Sequence, residues 1–266
     1  MPTIDTLRAC RAFLLDMDGT IYVGDTLIPG AREFIATLEE RGLPHLFLTN
    51  NSSRRGQSFQ ERLQRLGIQA SRDRILTSGD ATIGYLLHCT PHRSAYLVGT
   101  PELESEFREA GVELTADDPD CVVLGFDTSL TFEKLEIACR WLFADKPYYA
   151  TSPDRTCITP RGLIPDIGAI IAACEAVTGR TPHIIGKPQP EIVADALRRL
   201  DATAATTAIV GDQLDTDMAM AQASELCGVL VMSGETSAAR VSALPDDSKH
   251  FLVAESVADI TRWLRA

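Results

Sequence analysis

The stretch Phe13-Leu14-Leu15-Asp16-Met17-Asp18-Gly19-Thr20 constrains the fold of this chain more than any other. A short apolar run bounded by a turn signal reads as a buried strand. This one ends in two carboxylates one residue apart, and burying ionisable groups is costly unless a cation or a proton stabilises them. Parallel α/β sheets bind ligands just beyond the carboxyl ends of their strands, which gives such a pair a use. Alternation along an extended segment turns Asp16 and Asp18 to one side and Met17 to the other. Two carboxylates in one pocket can hold a hard divalent cation such as Mg²⁺ through oxygen ligands. They can also divide labour, one ionised as nucleophile and the other partly protonated as general acid. Asp and Gly are ordinary turn formers as well, so an acidic turn is the competing reading of this stretch alone.

At 266 residues and 45% hydrophobic content the chain can build one large domain or two smaller ones. Its 25 Lys and Arg against 37 Asp and Glu give a formal net charge of −12. That balance argues against nonspecific binding to nucleic acid or to an anionic membrane surface. An anionic substrate would therefore need local help from a metal ion and one or two placed basic residues. The seven cysteines are scattered and include no Cys-x-x-Cys pair. Neither a zinc site nor a disulfide framework is suggested, and buried free thiols in a reducing compartment are expected. No signal-peptide pattern is visible, and no stretch approaches the about 20 apolar residues of a membrane span. The expectation is a cytoplasmic protein without membrane association.

Two further strand ends repeat the first pattern. His45-Leu46-Phe47-Leu48 runs into Thr49-Asn50-Asn51-Ser52-Ser53, whose hydroxyls and amides suit an anion's oxygens and equally suit helix capping. Ala208-Ile209-Val210 runs into Gly211-Asp212-Gln213-Leu214-Asp215-Thr216-Asp217. In one parallel sheet these ends converge on a single crevice. There a Mg²⁺ held by Asp16 and Asp212 would need few protein ligands and keep several waters. Thr49 and Asn50 would hold phosphoryl oxygens, and Lys187, between Gly186 and Pro188 after an apolar run, would neutralise them. A single lysine is by default a solvated one, and acidic residues such as Asp215 and Asp217 also suit a helix N-terminus. Ile21 to Ile28 reads as a small hairpin over the crevice. The expected division is a core over residues 1–80 and 183–266, with an inserted α/β domain over 81–182.

Four motifs in this order, Asp16-Met17-Asp18-Gly19-Thr20, Thr49-Asn50, Gly186-Lys187-Pro188 and Gly211 to Asp217, give the chain a family resemblance. It resembles the haloacid dehalogenase-like hydrolases, in particular the p-nitrophenyl phosphatase and nucleotidase-like branch. The resemblance implies an α/β fold: a Rossmann-like three-layer core with a parallel sheet, plus an inserted α/β cap domain over the site. It implies a Mg²⁺-dependent phosphatase for small phosphate monoesters, among them sugar phosphates, nucleoside monophosphates and pyridoxal phosphate. Asp16 would form an aspartyl-phosphate, and Asp18 would protonate the leaving group and then activate water. Mg²⁺ would be held by the Asp16 carboxylate, the Asp18 main-chain carbonyl and Asp212, with Asp217 supporting from behind. Thr49 and Asn50 would bind phosphate, and Lys187 would orient it. A phosphotransferase or mutase shares this chemistry, and a phosphate-binding regulatory protein is the rival outside catalysis. Caps of relatives often contribute to dimer contacts, so a homodimer is compatible with the resemblance, although the sequence identifies no interface.

Two stretches depart from the branch. Thr151-Ser152-Pro153-Asp154 stands where T-N-P-D is frequent, and Pro165-Asp166-Ile167-Gly168 stands where Pro-Gly-x-Gly is usual. Relatives turn these loops toward substrate, so Asp154 and Asp166 are candidate specificity residues. Asp166 would disfavour a second anionic group or pair with an amine or hydroxyl, unless it simply caps the helix beginning at Ile167.

Overall fold

The computed structural model describes residues 2–245 and 248–266. The apolar runs form a parallel sheet of six strands: β1 (Ala12–Leu15), β4 (His45–Thr49), β5 (Ile75–Thr77), β13 (Thr207–Gly211), β14 (Cys227–Val231) and β15 (Phe251–Ala254). Their order is β15-β14-β13-β1-β4-β5. Leu14 lies opposite Leu46 on one side and Ile209 on the other. Successive side chains of a strand face opposite layers, so each strand feeds two cores. Phe13, Leu15 and Phe47 pack with Leu7, Phe34, Leu38, Ile260 and Leu264. These belong to α1 (Ile4–Ala9), α2 (Ala31–Glu40) and α11 (Val257–Arg265). Leu14, Leu48 and Ile209 pack on the other face with Ile192, Val193, Ala196 and Met220. Those come from α8 (Pro190–Leu200) and α9 (Ala219–Ala223). The result is the three-layer α/β/α core of a Rossmann-like fold.

The chain runs outward from β1 through β4 to β5 and returns on the other flank of β1 at β13. That reversal puts the ends of β1, β4 and β13 side by side and opens a crevice beyond them. Above β1 the small hairpin of β2 (Tyr22–Val23) and β3 (Thr26–Leu27) forms as expected.

Between β5 and β13 the chain builds a second parallel sheet, in the order β12-β9-β8-β6-β7. Its strands are β6 (Ser94–Val98), β7 (Glu113–Leu114), β8 (Cys121–Leu124), β9 (Tyr148–Ala150) and β12 (His183–Ile184). The sheet thus reaches Ile184, two residues past the boundary expected at 182. α6 (Phe132–Phe143) and α7 (Ile167–Thr178) cover one face. The other is covered by α4 (Ser78–Cys89) and α5 (Pro101–Glu109). α4 serves both units, with Ala81 in the core and Ile83 and Leu86 against the second sheet. An antiparallel hairpin of β10 (Thr156–Thr159) and β11 (Gly162–Pro165) projects from this inserted unit. α10 (Ala238–Ser242) follows β14.

A polar seam joins the units at α3 (Gly56–Arg65), which lacks a side-chain cap of its own. Free amides at a helix start need acceptors, and here α5 supplies them. The Arg55 main-chain N–H donates to Glu102 Oε2 at 3.3 Å, and that of Gly56 to Glu106 Oε1 at 3.2 Å. Ser58 Oγ also donates to Glu102 Oε2, at 2.7 Å. Arg72 bridges Asp80 and Glu106 at 2.5 and 3.4 Å. Burial, and then the Asp80 carboxylate, push the Glu106 carboxyl from 4.5 to about 7, against the pull of Arg72 and Arg55. The folded chain therefore holds this proton more tightly than the unfolded chain does. Stability from this group is greatest below the unfolded value and is lost as pH rises toward the folded one. Glu106→Gln keeps an acceptor for Gly56 and removes the titration. The fall in Tm between about pH 5 and about pH 8 should be smaller in this variant than in the parent chain. An equal fall in both would contradict the assignment.

Candidate active site

Each strand end delivers its polar residues to one place. Asp16 continues β1, its N–H donating to the Val210 carbonyl at 2.9 Å. Met17 is fully buried behind it. The Met17 carbonyl accepts from the N–H groups of Thr20, Ile21 and Tyr22 at 3.3, 2.9 and 3.2 Å, closing a tight turn. Gly19 within that turn has φ +84, and a Cβ there would come 2.5 Å from Asp212 Oδ2. Only glycine meets both conditions without strain. After β13, a π-helical turn over Leu214–Met218 brings Asp217 back beside Asp212.

At the centre is Lys187, 2% exposed. Its Nζ donates to Asp16 Oδ1 at 2.5 Å and to Asp217 Oδ1 at 2.7 Å. Its main chain is clamped by Asn50, whose Oδ1 accepts from Lys187 N at 2.8 Å while Nδ2 donates to the Lys187 carbonyl at 3.0 Å. The sequence expectation put Asn50 on phosphate. In the structure both of its polar atoms hold the lysine, leaving one amide hydrogen for anything else. Thr49 Oγ1 accepts from Asn51 N at 3.1 Å and keeps its own hydroxyl proton to donate. Asp217 Oδ2 accepts from Gln213 N at 3.1 Å, so both its oxygens are engaged.

Carboxylate oxygens of Asp16, Asp212 and Asp217 lie within 4.8 Å of one another, and all three residues are buried. One ammonium does not balance them. Asp212 Oδ2 accepts from Glu235 N at 2.6 Å, while Oδ1 is buried with no partner. Asp18 Oδ2 is likewise buried and unpartnered. An orphaned buried carboxylate oxygen costs several kcal/mol unless a cation or proton meets it. Burial raises the Asp212 carboxyl well above the ordinary carboxylate range, and the Asp16 and Asp217 carboxylates raise it further. Burial raises Asp16 too, with Lys187 pulling the other way. For Lys187 burial alone would favour loss of the proton, but Asp16 and Asp217 outweigh it and keep the ammonium charged. Asp18 stands at about 6, raised by burial against the pull of Arg62, Asn51 and Lys187. A set of hard oxygen donors with orphaned atoms and excess negative charge fits a divalent cation.

Sequence reasoning missed two parts of the site. The first is the loop after β14. Ser233 Oγ donates to the Gly19 carbonyl at 2.7 Å, Gly234 lets the chain pass against Asp212, and Glu235 supplies the amide to Asp212. The signal was available, since Val229-Leu230-Val231 is one more apolar run that ends in small polar residues. The second is the roof. Thr156, Cys157 and Ile158 of β10 line the same cavity as Asp16, Asp18, Thr49, Asn50 and Lys187. The hairpin seats Pro160 on Gly24, and Thr156 Oγ1 donates to Glu235 Oε1. Asp154 and Asp166, the two candidate specificity residues, line this cavity as well.

Comparison with known proteins agrees with the fold. Residues 13–113 match the model of the haloacid dehalogenase-like hydrolases, and residues 184–260 match a second, HAD-hydrolase-like model. The acid sugar phosphatase of Staphylococcus aureus is 38% identical over 213 residues, 80% of this chain and 82% of that protein. The crystal structure of 4-nitrophenylphosphatase from Thermotoga maritima superposes with a TM-score of 0.92 at 36% identity. That match covers 97% of this chain and 99% of the other. Glycerol phosphate phosphatase of Mycobacterium tuberculosis, solved with calcium, gives a TM-score of 0.84 at 30% identity over 96% of this chain and 76% of its own. The chain belongs to the haloacid dehalogenase-like hydrolases. Within them it is a phosphatase, a phosphoric monoester hydrolase, with structural neighbours of the NagD and p-nitrophenylphosphatase type. Among the described residues no helix is long and apolar enough to cross a membrane.

Removing one partner of a buried ion pair strands the other. Lys187→Met leaves Asp16 and Asp217 without a countercharge and should cost about 3–5 kcal/mol of stability. A urea titration would show this as a lowered midpoint, and an unchanged midpoint would contradict the geometry described.

Proposed function

We propose that this phosphatase hydrolyses small phosphate monoesters through a covalent aspartyl-phosphate on Asp16, with Mg²⁺ as its cation. The observation that carries the reading is the buried Asp16–Lys187–Asp217 contact beside an Asp212 oxygen that has no partner. Asp16 is the nucleophile because it is the one member of the acidic group that both begins at the central strand and borders the cavity beside Lys187. Its carboxylate forms the new O–P bond while the ester P–O bond breaks. Asp16, which burial raises to about 7, would be kept ionised by Lys187 together with the bound cation. Asp18, raised to about 6 by burial, gives its proton to the departing oxygen. It then takes a proton from the water that attacks phosphorus, and the bond to Asp16 breaks. Thr49 donates to a phosphoryl oxygen, and Lys187 holds Asp16 and offsets phosphate charge. Asn50 fixes Lys187 from behind.

The Asp16 and Asp212 carboxylates and the Asp18 main-chain carbonyl would hold the metal, with Asp217 holding Lys187 in register. A bound Mg²⁺ supplies charge neutralisation at the transferring phosphoryl group. The inserted unit acts as a cap. Its cavity over the site measures about 40 Å³, against about 300–1,000 Å³ for most small-ligand sites. The β10–β11 hairpin must therefore lift to admit substrate and release product. The printed names of the relatives, acid sugar phosphatase and glycerol phosphate phosphatase, support substrates of that size.

Phosphate release from p-nitrophenyl phosphate is the first test. It should require Mg²⁺, stop with EDTA, and fall by about a thousandfold or more in Asp16→Asn while the circular dichroism spectrum is unchanged. Near-normal turnover by Asp16→Asn would contradict the covalent route. Transfer of phosphate to an added sugar in place of release would favour the phosphotransferase alternative.

A further inference from the structure

One residue between the floor and the roof of the cavity has no part in phosphoryl transfer itself. Glu235 lies in the loop after β14, and that loop is held from below at two points. Ser233 Oγ donates to the Gly19 carbonyl at 2.7 Å, and the Glu235 N–H donates to Asp212 Oδ2 at 2.6 Å. The Glu235 side chain makes two further bonds. Its Oε1 accepts from Thr156 Oγ1 of β10, and its Oε2 accepts from Gln213 Nε2 at 3.3 Å. Gln213 in turn donates from its main chain to Asp217 Oδ2 at 3.1 Å, and Asp217 Oδ1 accepts from Lys187. Glu235 thus bonds a candidate cation ligand, the loop that supports Lys187, and the hairpin of the cap.

The contacts that seat the hairpin differ in what they require. Pro160 rests on Gly24, but an apolar contact carries no direction. A hydrogen bond to a carboxylate is short and directional, so Thr156 finds its acceptor only when Glu235 stands in place. What places Glu235 is its own amide on Asp212. That carboxylate has one oxygen bonded and the other, Oδ1, buried without a partner. Held at one oxygen it is free to turn. A cation on Oδ1 fixes it at both ends, and fixes the loop 233–235 with it. Binding of the cation and closing of the hairpin then favour one another, and by linkage the coupling runs both ways.

Resting on the cation and hairpin-lifting readings above, we propose that Glu235 is a positioning residue that couples the two. A divalent cation at Asp212 fixes Glu235, and Glu235 latches the β10–β11 hairpin through Thr156. The roof is fastened over a site that holds its metal and is loose over one that does not. Release of product then includes breaking the Thr156–Glu235 bond.

A native thiol reports on the hairpin. Cys157 lines the cavity beside Thr156 and is half-buried there, whereas Cys89 is exposed at the end of α4. Alkylation by N-ethylmaleimide, followed by mass spectrometry of the separate peptides, reads opening at Cys157 and keeps Cys89 as the reference. The Tm of the parent enzyme with Mg²⁺ and with EDTA is measured first, and it judges the cation reading separately. In the parent, Mg²⁺ should slow alkylation of Cys157 about tenfold relative to EDTA, the worth of one charge-assisted hydrogen bond, and leave Cys89 unchanged. Glu235→Ala keeps the main-chain amide for Asp212, so Mg²⁺ should still raise its Tm. Its protection of Cys157 by Mg²⁺ should nevertheless shrink to about twofold or less. Thr156→Val removes the same bond from the cap side and should have the same effect. The double variant should lose no more protection than either single one, because all three lack one bond. Protection retained in both single variants, or losses that add in the double variant, would overturn the proposal. So would a parent whose Tm rises with Mg²⁺ while Cys157 reacts at an unchanged rate. A parent whose Tm ignores Mg²⁺ would instead overturn the cation reading, and this assignment with it.

Discussion

One ammonium ties the site together. Lys187 reaches Asp16 at the end of β1 and Asp217 in the turn after β13, while its main chain is held by Asn50 at the end of β4. Three neighbouring strands of the sheet are thus fastened to a single residue. Such an arrangement is not an economical source of stability, because desolvating the charges offsets much of their attraction. The apolar layers above and below the sheet supply the stability, and the site draws on it. What the arrangement gains is placement. The acidic oxygens are fixed before any ligand arrives, and the negative charge that Lys187 leaves uncompensated suits a divalent cation.

The inserted unit is fastened to the core on one side and merely touches it on the other. On the fastened side Glu102 and Glu106 complete the start of α3. Ser52 Oγ shares a hydrogen bond with Thr151 Oγ1 at 2.8 Å and accepts from Phe126 N at 2.9 Å. Thr100 Oγ1 donates to the Ser53 carbonyl at 2.8 Å. The loop that carries Thr49 and Asn50 is therefore bonded to strand ends of the second sheet. Across the cavity, contacts of the β10–β11 hairpin with the core include Pro160 on Gly24 and one hydrogen bond to Glu235. Those contacts are small enough to be broken and remade while the fastened side holds, as the proposed lifting of the hairpin requires.

The central strands were legible because a buried parallel strand is a continuous apolar run, and carboxylates at its end are conspicuous. Asp16, Asp212 and Lys187 could be read that way and do meet. The finer parts were not legible, each for a local reason. β5 is three residues long, and the helix at Ile4–Ala9 buries only Leu7, so neither offers a periodic pattern. The β10–β11 hairpin covers a polar cavity, and its residues are half-buried or exposed without alternation. That Asn50 also clamps the main chain of Lys187 was not legible, because nothing in the sequence ties it to a residue 137 positions on. The capping of α3 by α5 is equally invisible, since Arg55 at that cap position looks like a surface residue and its acceptors lie some fifty residues away.

The proposed mechanism turns on the Asp16 carboxylate as the group that receives the phosphoryl group. Its most direct measurement is to quench the enzyme in acid during turnover with Mg²⁺ and p-nitrophenyl phosphate, reduce it with borohydride, and digest it for mass spectrometry. An aspartyl-phosphate is reduced to homoserine, and the account predicts that mass change at Asp16 and not at Asp18, Asp212 or Asp217. An unmodified Asp16 peptide from an enzyme caught in steady turnover, or the mark on another residue, would contradict it.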